Sequence, residues 1–474
     1  METEKVNLVF LPSPGMGHVI STVEMAQLLC FRSPRISITV FTMRHHRKPS
    51  LTSLTSSYIS SITSPNITFI DLPYPSDFHV DPTQNGETII SLYIQSHIPL
   101  IKQSIQNLNR PISAIIMDLF STTLIDLADD FGVPAYVFFT SCASFLGLML
   151  HLPSFHGTDF MDMKKDGLAV PTLPVKLDPL ALPSPMLDKT NDAYEWYMYH
   201  GRRFKDLRGV IVNSFVEVES HASNSLSAAR APPVFMVGPI IDVHPRRQER
   251  RHECMEWLDG QPKNSVVFLC FGSMGAVSAE QAKEIARALE GCGYGFLWAV
   301  RVHDKVERFG LSLEADADAE MESLFPEGFV ERTGKRGMVL KGWVPQKEIL
   351  AHPATGGFMT HCGWNSILEG VWFGVPMLAW PMYAEQRFNA VLVTEVVGVA
   401  VGMELDYGGN GGVVKAEEVE RGIRYLMEDG RVRERVGEMS GVSRRVGVDG
   451  GSSFAEVGRL VEEIMGERMN GKAS

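Results

Sequence analysis

The sequence predicts an α/β fold made of two doubly wound domains with parallel sheets. Three observations carry this. The chain has 474 residues, more than one hydrophobic core organises. Short apolar runs alternate with helical stretches through both halves, the pattern of βαβ units. Each half also has an apolar strand ending in a glycine turn before a helix, at Gly15-Met16-Gly17 and at Gly272-Ser273-Met274-Gly275.

Taken in order, residues 6–11 form the first strand, and His18 follows a Pro/Gly turn. Ser21-Thr22-Val23-Glu24 has the form of a capping box and predicts a helix leading through 25–29. His18 then belongs to the loop or first turn at the C-terminal edge of that strand, where open parallel sheets bind ligands. Further strands are expected at 36–41, 67–72, 114–119, 135–140 and 209–215. Asp118 closes Ala114-Ile115-Ile116-Met117 and so reaches the same edge as His18. By itself a strand-end Asp serves as an ordinary helix cap. Beside His18 it supplies the carboxylate that orients an imidazole base. Residues 150–205 are rich in Pro, Met and Tyr with little periodicity, which predicts irregular lid and wall structure.

Gly15-Met16-Gly17 opens a G-x-G, but Ile20 stands where a third glycine belongs. No acidic residue follows the second strand, which runs into Arg44-His45-His46-Arg47. The dinucleotide fingerprint fails, which disfavours a dehydrogenase.

Residues 242–252 are basic and polar with no apolar pattern, the composition of a linker. Residues 265–271 form an apolar strand before the second glycine turn, and Ser278 caps the helix at 278–289. Strands at 295–300, 338–341, 357–360 and 376–380 complete the second sheet. His361-Cys362-Gly363-Trp364-Asn365-Ser366 is a turn opening a helix at 367–372. Such a strand–turn–helix points bare N–H groups and a positive dipole end at one spot, which suits a phosphate. His361 offers a further hydrogen bond there, and Gly363 permits close backbone approach. Ser273, on the matching turn, is a second candidate phosphate contact. Cys362 reads as a buried small residue and not as a nucleophile.

The net charge is −12, which argues against nucleic acid or an anionic membrane as partner. No apolar run reaches the ~20 residues of a membrane span, and the one at 6–11 is too short for a signal core. Cys30, Cys142, Cys254, Cys270, Cys292 and Cys362 show no paired spacing. They read as free thiols of a cytoplasmic chain.

The 44 positions from Trp343 to Gln386 resemble the signature box of the plant family 1 UDP-glycosyltransferases, matched without a gap. The resemblance implies the GT-B fold, two facing Rossmann-like domains with an interdomain cleft. Residues 1–240 would bind the acceptor and 253–453 the UDP-sugar, joined by a linker at 241–252. The C-terminal helix at 454–467 would pack back on the first domain. Trp343 would stack on the uracil ring, Gln346 and Glu369 would hold the ribose, and His361, Asn365 and Ser366 the diphosphate. Trp364, Glu385, Gln386 and Thr140 would contact the sugar, and Gly17, Val344, Gly363 and Ser273 complete the expected donor site. His18 matches the family's catalytic histidine and Asp118 its partner.

The implied reaction is inverting O-glucosylation from UDP-glucose as co-substrate, by a monomer, with no cofactor and no metal. A D-x-D metal clamp belongs to a different glycosyltransferase architecture, and Asp316-Ala317-Asp318 reads as a solvated acidic loop. A Gln at the box's final position, here Gln386, goes with glucose. Ser21-Thr22-Val23-Glu24-Met25-Ala26 and Trp257-Leu258-Asp259-Gly260-Gln261-Pro262 are similar to the branch that glucosylates flavonoids, other phenolics and terpenoids. A flavonoid or other phenolic is the expected acceptor, with a terpenoid or triterpenoid as the alternative. Met16, Phe120, Phe139, Cys142 and Tyr383 are the expected acceptor pocket. A catalytically silent nucleotide-sugar-binding protein is disfavoured by the presence of both His18 and Asp118.

Overall fold

The computed structural model describes residues 5–44, 49–229, 232–242, 251–303, 324–403 and 412–470. Most of the linker and the Asp316-Ala317-Asp318 loop lie outside the described residues. The first sheet contains β1 (Val6–Leu11), β2 (Ile36–Met43), β3 (Ile67–Leu72), β4 (Ala114–Asp118), β5 (Ala135–Phe139), β6 (Gly209–Val212) and β7 (Val234–Met236). All are parallel, in the order β3-β2-β1-β4-β5-β6-β7. The central strands read as near-continuous apolar runs because helices cover both sheet faces. β4, for example, is buried at every position.

In the second half come β8 (Val266–Cys270), β9 (Val277–Ser278), β10 (Gly295–Val300), β11 (Val302–His303), β12 (Gly337–Lys341), β13 (Thr355–Thr360), β14 (Met377–Ala379) and β15 (Ala400–Val401). Six of them form a sheet in the order β12-β10-β8-β13-β14-β15, and β9 pairs with β11.

These strand orders position the site. In the first sheet the winding reverses between β1 and β4, where Leu11 pairs with Met117. In the second it reverses between β8 and β13, where Cys270 pairs with Thr360. Connections on either side of a reversal leave in opposite directions and open a crevice beyond the strand ends. His18 and Asp118 stand at the first crevice, and Gly272, Ser273 and His361 at the second.

Two expectations are corrected. The first helix runs Met16–Arg32 with Gly15 as N-cap, so Ser21-Thr22-Val23-Glu24 lies inside it and is no capping box. The chain turns into the helix directly from Pro14-Gly15, which puts His18 in the first turn. Residues 150–205 are also less irregular than their composition suggests. Asn191 caps a helix at Asp192–Arg203, its side chain accepting from the Ala193 N–H.

The last helix, Ser452–Asn470, returns to the first sheet. Its Val457, Leu460 and Ile464 join Val6, Leu8 and Phe10 in one core cluster. Each such buried side chain stabilises the docking by ~1.5–3 kcal/mol before entropy is counted.

Candidate active site

A cavity of about 1120 Å³ lies between the two crevices, lined from both halves of the chain. A single drug-sized ligand occupies ~300–1,000 Å³, so the volume suits two substrates together. Gly17, His18 and Thr140 line it from the first half. Ser273, Trp343, Val344, Gln346, His361, Gly363, Trp364, Asn365, Ser366, Glu369, Glu385 and Gln386 line it from the second.

The His18 Nδ1 lies 2.7 Å from Asp118 Oδ2. Asp118 is buried, and its other oxygen accepts from Ser13 Oγ at 2.7 Å. Thr140 Oγ1 is 3.2 Å from the same His18 nitrogen. Nδ1 is thereby held as a donor to the carboxylate, which leaves Nε2 as the nitrogen free to take a proton. The His18 side chain is 33% exposed, toward the cavity. Burial pushes its pKa down, but the charge and hydrogen bond of Asp118, with Glu385 adding, carry it above 6.5.

At the other crevice the His361 ring is wedged between two glycines. A Cβ on Gly272 or on Gly363 would come within 2.5 Å of His361 Nε2. Gly272 also has φ +77°, a left-handed conformation that only glycine adopts without strain. His361 is buried, and burial together with the Arg301 charge pushes its pKa down to about 4. It is therefore a neutral imidazole at physiological pH. The helix Trp364–Phe373 begins beside it, its first-turn N–H groups without intrahelical partners.

Arg301 was not among the expected residues, yet it lines the same end of the cavity and donates to the Gly272 carbonyl. It is the first residue after β10, at the same strand edge as the other ligand-facing groups, and that position was its sequence signal. Cys362 is buried, and burial pushes its thiol up to about 12, so it is no nucleophile.

Several box residues are tied across the cleft. Asn365 donates to the Gly17 carbonyl at 3.2 Å and accepts from Ser21 Oγ at 3.2 Å. Trp364 Nε1 donates to the Asn213 carbonyl at 2.6 Å. Glu385 accepts from Ser141 Oγ at 2.9 Å. Gln386 Oε1 accepts from the N–H groups of Met382 and Tyr383 at 2.9 and 3.0 Å. Its carbonyl is thus engaged with backbone, and only its NH₂ is left for a ligand, where sequence suggested both donor and acceptor. Gln346 Nε2 bridges Ser366 Oγ and Glu369 Oε2 at 3.0 and 2.7 Å. Trp343 is 48% exposed on the cavity wall, a bare indole face suited to stacking.

Of the residues expected around the acceptor, Met16, Phe120 and Tyr383 line the cavity, and Phe139 and Cys142 do not. Thr140, the next residue after Phe139, faces the cleft, and successive strand residues point to opposite faces. Phe139 packs instead on Phe145 and Phe204. Cys142 caps the helix Ala143–His151 and donates to Asn389 Oδ1 at 3.3 Å. Glu87, Ser141, Phe145 and Tyr197 line the cavity and were missed.

Two doubly wound domains meeting at their reversal crevices, with the His18–Asp118 pair on one side and the His361 turn on the other, define the GT-B architecture of nucleotide-sugar transferases. The family model for "UDP-glucoronosyl and UDP-glucosyl transferase" matches residues 232–444. UDP-glycosyltransferase 71K1 of Malus domestica is 42% identical over 486 residues, covering 98% of this chain and 100% of that one. Anthocyanidin 3-O-glucosyltransferase 1 of Manihot esculenta is 40% identical, over 95% of this chain and 100% of its own. The crystal structure of Medicago truncatula UGT71G1 complexed with UDP-glucose superposes with a TM-score of 0.84 at 37% identity, covering 97% and 98% of the two chains. The chain belongs to the plant UDP-glycosyltransferase family and is a hexose-transferring enzyme of it.

Proposed function

We propose that this enzyme transfers glucose from UDP-glucose to a phenolic hydroxyl of a flavonoid or related metabolite, with inversion at the anomeric carbon. The observation that carries the reading is the His18–Asp118 pair, its free Nε2 facing a cleft shared with the signature box. The names of relatives that glucosylate flavonoids and of a neighbour solved with UDP-glucose support it.

In this reading residues 1–240 receive the acceptor and 253–453 the donor. His18 Nε2 takes the acceptor hydroxyl's proton as its oxygen attacks the anomeric carbon. The bond from that carbon to the diphosphate breaks, and its electron pair leaves with UDP. Asp118 stabilises the imidazolium that forms. The developing diphosphate charge meets Arg301, the neutral His361, Ser273 and the N–H groups opening Trp364–Phe373, a preorganised electrostatic site. A phenol, with an ordinary pKa of ~10, is within reach of such a base. Trp343 carries the uracil, and Gln346 and Glu369 exchange their mutual hydrogen bond for the ribose hydroxyls. Glu385 accepts from sugar hydroxyls, and Gln386 donates through its NH₂.

We further propose that the reaction runs without a metal, on the strength of this cation and helix terminus. Among the described residues no three His, Cys, Asp or Glu side chains cluster as metal ligands. We take the enzyme to be a cytoplasmic monomer; its six free thiols support a reducing compartment. Among the described residues, no helix is long and apolar enough to cross a membrane.

The test is UDP release with a flavonol acceptor, after exhaustive chelation, with UDP-glucose and UDP-galactose in competition. Expected are a β-glucoside, preference for UDP-glucose and no loss on chelation. A wild type that needs added metal, prefers UDP-galactose or gives an α-glycoside overturns the corresponding part.

A further inference from the structure

The wall of the cavity beside Phe120 holds a carboxylate that the reaction does not use. Glu87 sits in the first turn of the helix Gly86–Ser96, where the dipole favours an anion. It is 8% exposed and lines the cavity. Its Oε1 accepts from the Tyr197 hydroxyl at 3.3 Å. Its Oε2 is the only buried carboxylate oxygen among the described residues without a hydrogen-bond partner. Leaving such an oxygen unmet is costly, and a native fold rarely does so without a use.

Two other carboxylates of the cavity lining already hold hydrogen bonds. Glu24 accepts from Tyr58 at 2.8 Å, and Glu385 from Ser141. Behind Glu87, His200 is satisfied by Ser91 and Thr122 at 3.0 and 2.7 Å. The surfaces around it are otherwise apolar, with Ile90, Phe120 and Phe145 on the lining. The Phe120 ring meets Tyr197 edge-on at 6.4 Å between centroids. The wall beside Phe120 is therefore apolar and flat-sided, with Glu87 as its carboxylate acceptor. The terminal torsion of a glutamate is soft, so either oxygen turns to an incoming donor.

We propose that Glu87 is a specificity determinant that takes a hydrogen bond from a second hydroxyl of the acceptor, remote from the one glucosylated. The preferred substrates are then polyhydroxylated aromatics. A methyl ether at that position cannot donate, and a carboxylate there meets repulsion from Glu87. Burial pushes the Glu87 pKa up to about 7, with Asp192 and Glu385 as the nearby like charges, and this keeps the group neutralisable when no donor is present. The proposal rests on the glucosyltransferase reading above, and the experiment separates the two.

The experiment measures kcat/KM with UDP-glucose for 7-hydroxyflavone, its dihydroxyflavone positional isomers and their mono-O-methyl counterparts. Wild type, Glu87→Ala and Glu87→Gln are compared, with UDP binding by fluorescence quenching as a check on folding. At least one dihydroxy isomer should exceed the parent by ~10-fold or more in wild type, and its methyl ether should not. Glu87→Ala should erase that advantage while leaving the parent and UDP binding within about twofold. Glu87→Gln, which keeps a carbonyl acceptor, should retain part of it. Equal rates for all isomers, an advantage that survives Glu87→Ala, or equal loss of the parent in Glu87→Ala would each overturn the proposal. A wild type that turns over none of the flavones overturns the glucosyltransferase reading first, and this one with it.

Discussion

His18 and His361 occupy equivalent places in the two halves of the molecule. Each stands at the C-terminal edge of a parallel sheet, where the strand order reverses. Their chemistry is opposite because their neighbours are. His18 has a buried carboxylate at 2.7 Å, and its pKa rises above 6.5. His361 is packed between two glycines near an arginine, and its pKa falls to about 4. In the proposed reaction the first ring gains a proton during turnover, and the second offers a neutral N–H donor to the diphosphate. The fold supplies the location, and one charged neighbour decides the role.

The comparison breaks most visibly at His18. His18→Ala should lower kcat by ~10²–10⁴, with little change in the affinity for UDP measured by fluorescence quenching. Asp118→Asn should cost ~10²-fold or more, because an amide cannot stabilise an imidazolium. If either variant turns over like wild type, the base is elsewhere. His361→Ala removes a charge-stabilising donor and should cost ~10²-fold in kcat/KM for UDP-glucose. Weaker UDP binding should accompany it, which distinguishes this loss from that of His18→Ala.

A smaller effect sharpens the geometric half of the comparison. Gly272→Ala introduces a Cβ within 2.5 Å of His361 Nε2 at a left-handed backbone position. It should destabilise by ~1–3 kcal/mol and raise the KM for UDP-glucose ~10-fold, read from thermal melts and initial rates. An unchanged melting temperature and KM would show that the ring is not held there.

The two histidines also differ in their linkage to stability. The His18 pKa is raised in the fold, so its contribution is complete below pH 6.5 and fades as pH rises through the folded value. The His361 pKa is depressed to about 4. Its contribution is complete above pH 6.5 and is lost as pH falls from there toward 4. Denaturant melts of wild type and His361→Gln from pH 7 to 4 should converge as the pH drops. Parallel curves would contradict the buried neutral state.

Much of this was legible in the sequence. Trp343, Gln346, His361 and Glu369 follow from an ungapped box, and the strands around His18 and Asp118 from apolar runs. What failed had local physical causes. Ser21-Thr22-Val23-Glu24 has the composition of a cap, but the Pro14-Gly15 turn starts the helix earlier and leaves Ser21 to hold Asn365 across the cleft. Phe139 sits next to a cleft residue in sequence, and strand pleating turns it to the core. The helix carrying Tyr197 was hidden in a Pro- and Tyr-rich stretch whose periodicity is weak. Arg301 carried a signal in its place directly after β10, whereas Glu87 needed the tertiary structure, since only packing shows which carboxylate is left lining a cavity.

The most direct test of the two-histidine account is the pH dependence of kcat/KM for the acceptor at saturating UDP-glucose, in wild type, Asp118→Asn and His361→Gln. Activity needs His18 unprotonated, so it should fall on the acid side through an apparent pKa above 6.5. Asp118→Asn should move that limb to lower pH as well as lowering the plateau, and His361→Gln should lower the plateau without moving the limb. An acid limb below 6.5 in wild type, or one that follows His361 and ignores Asp118, would contradict the account.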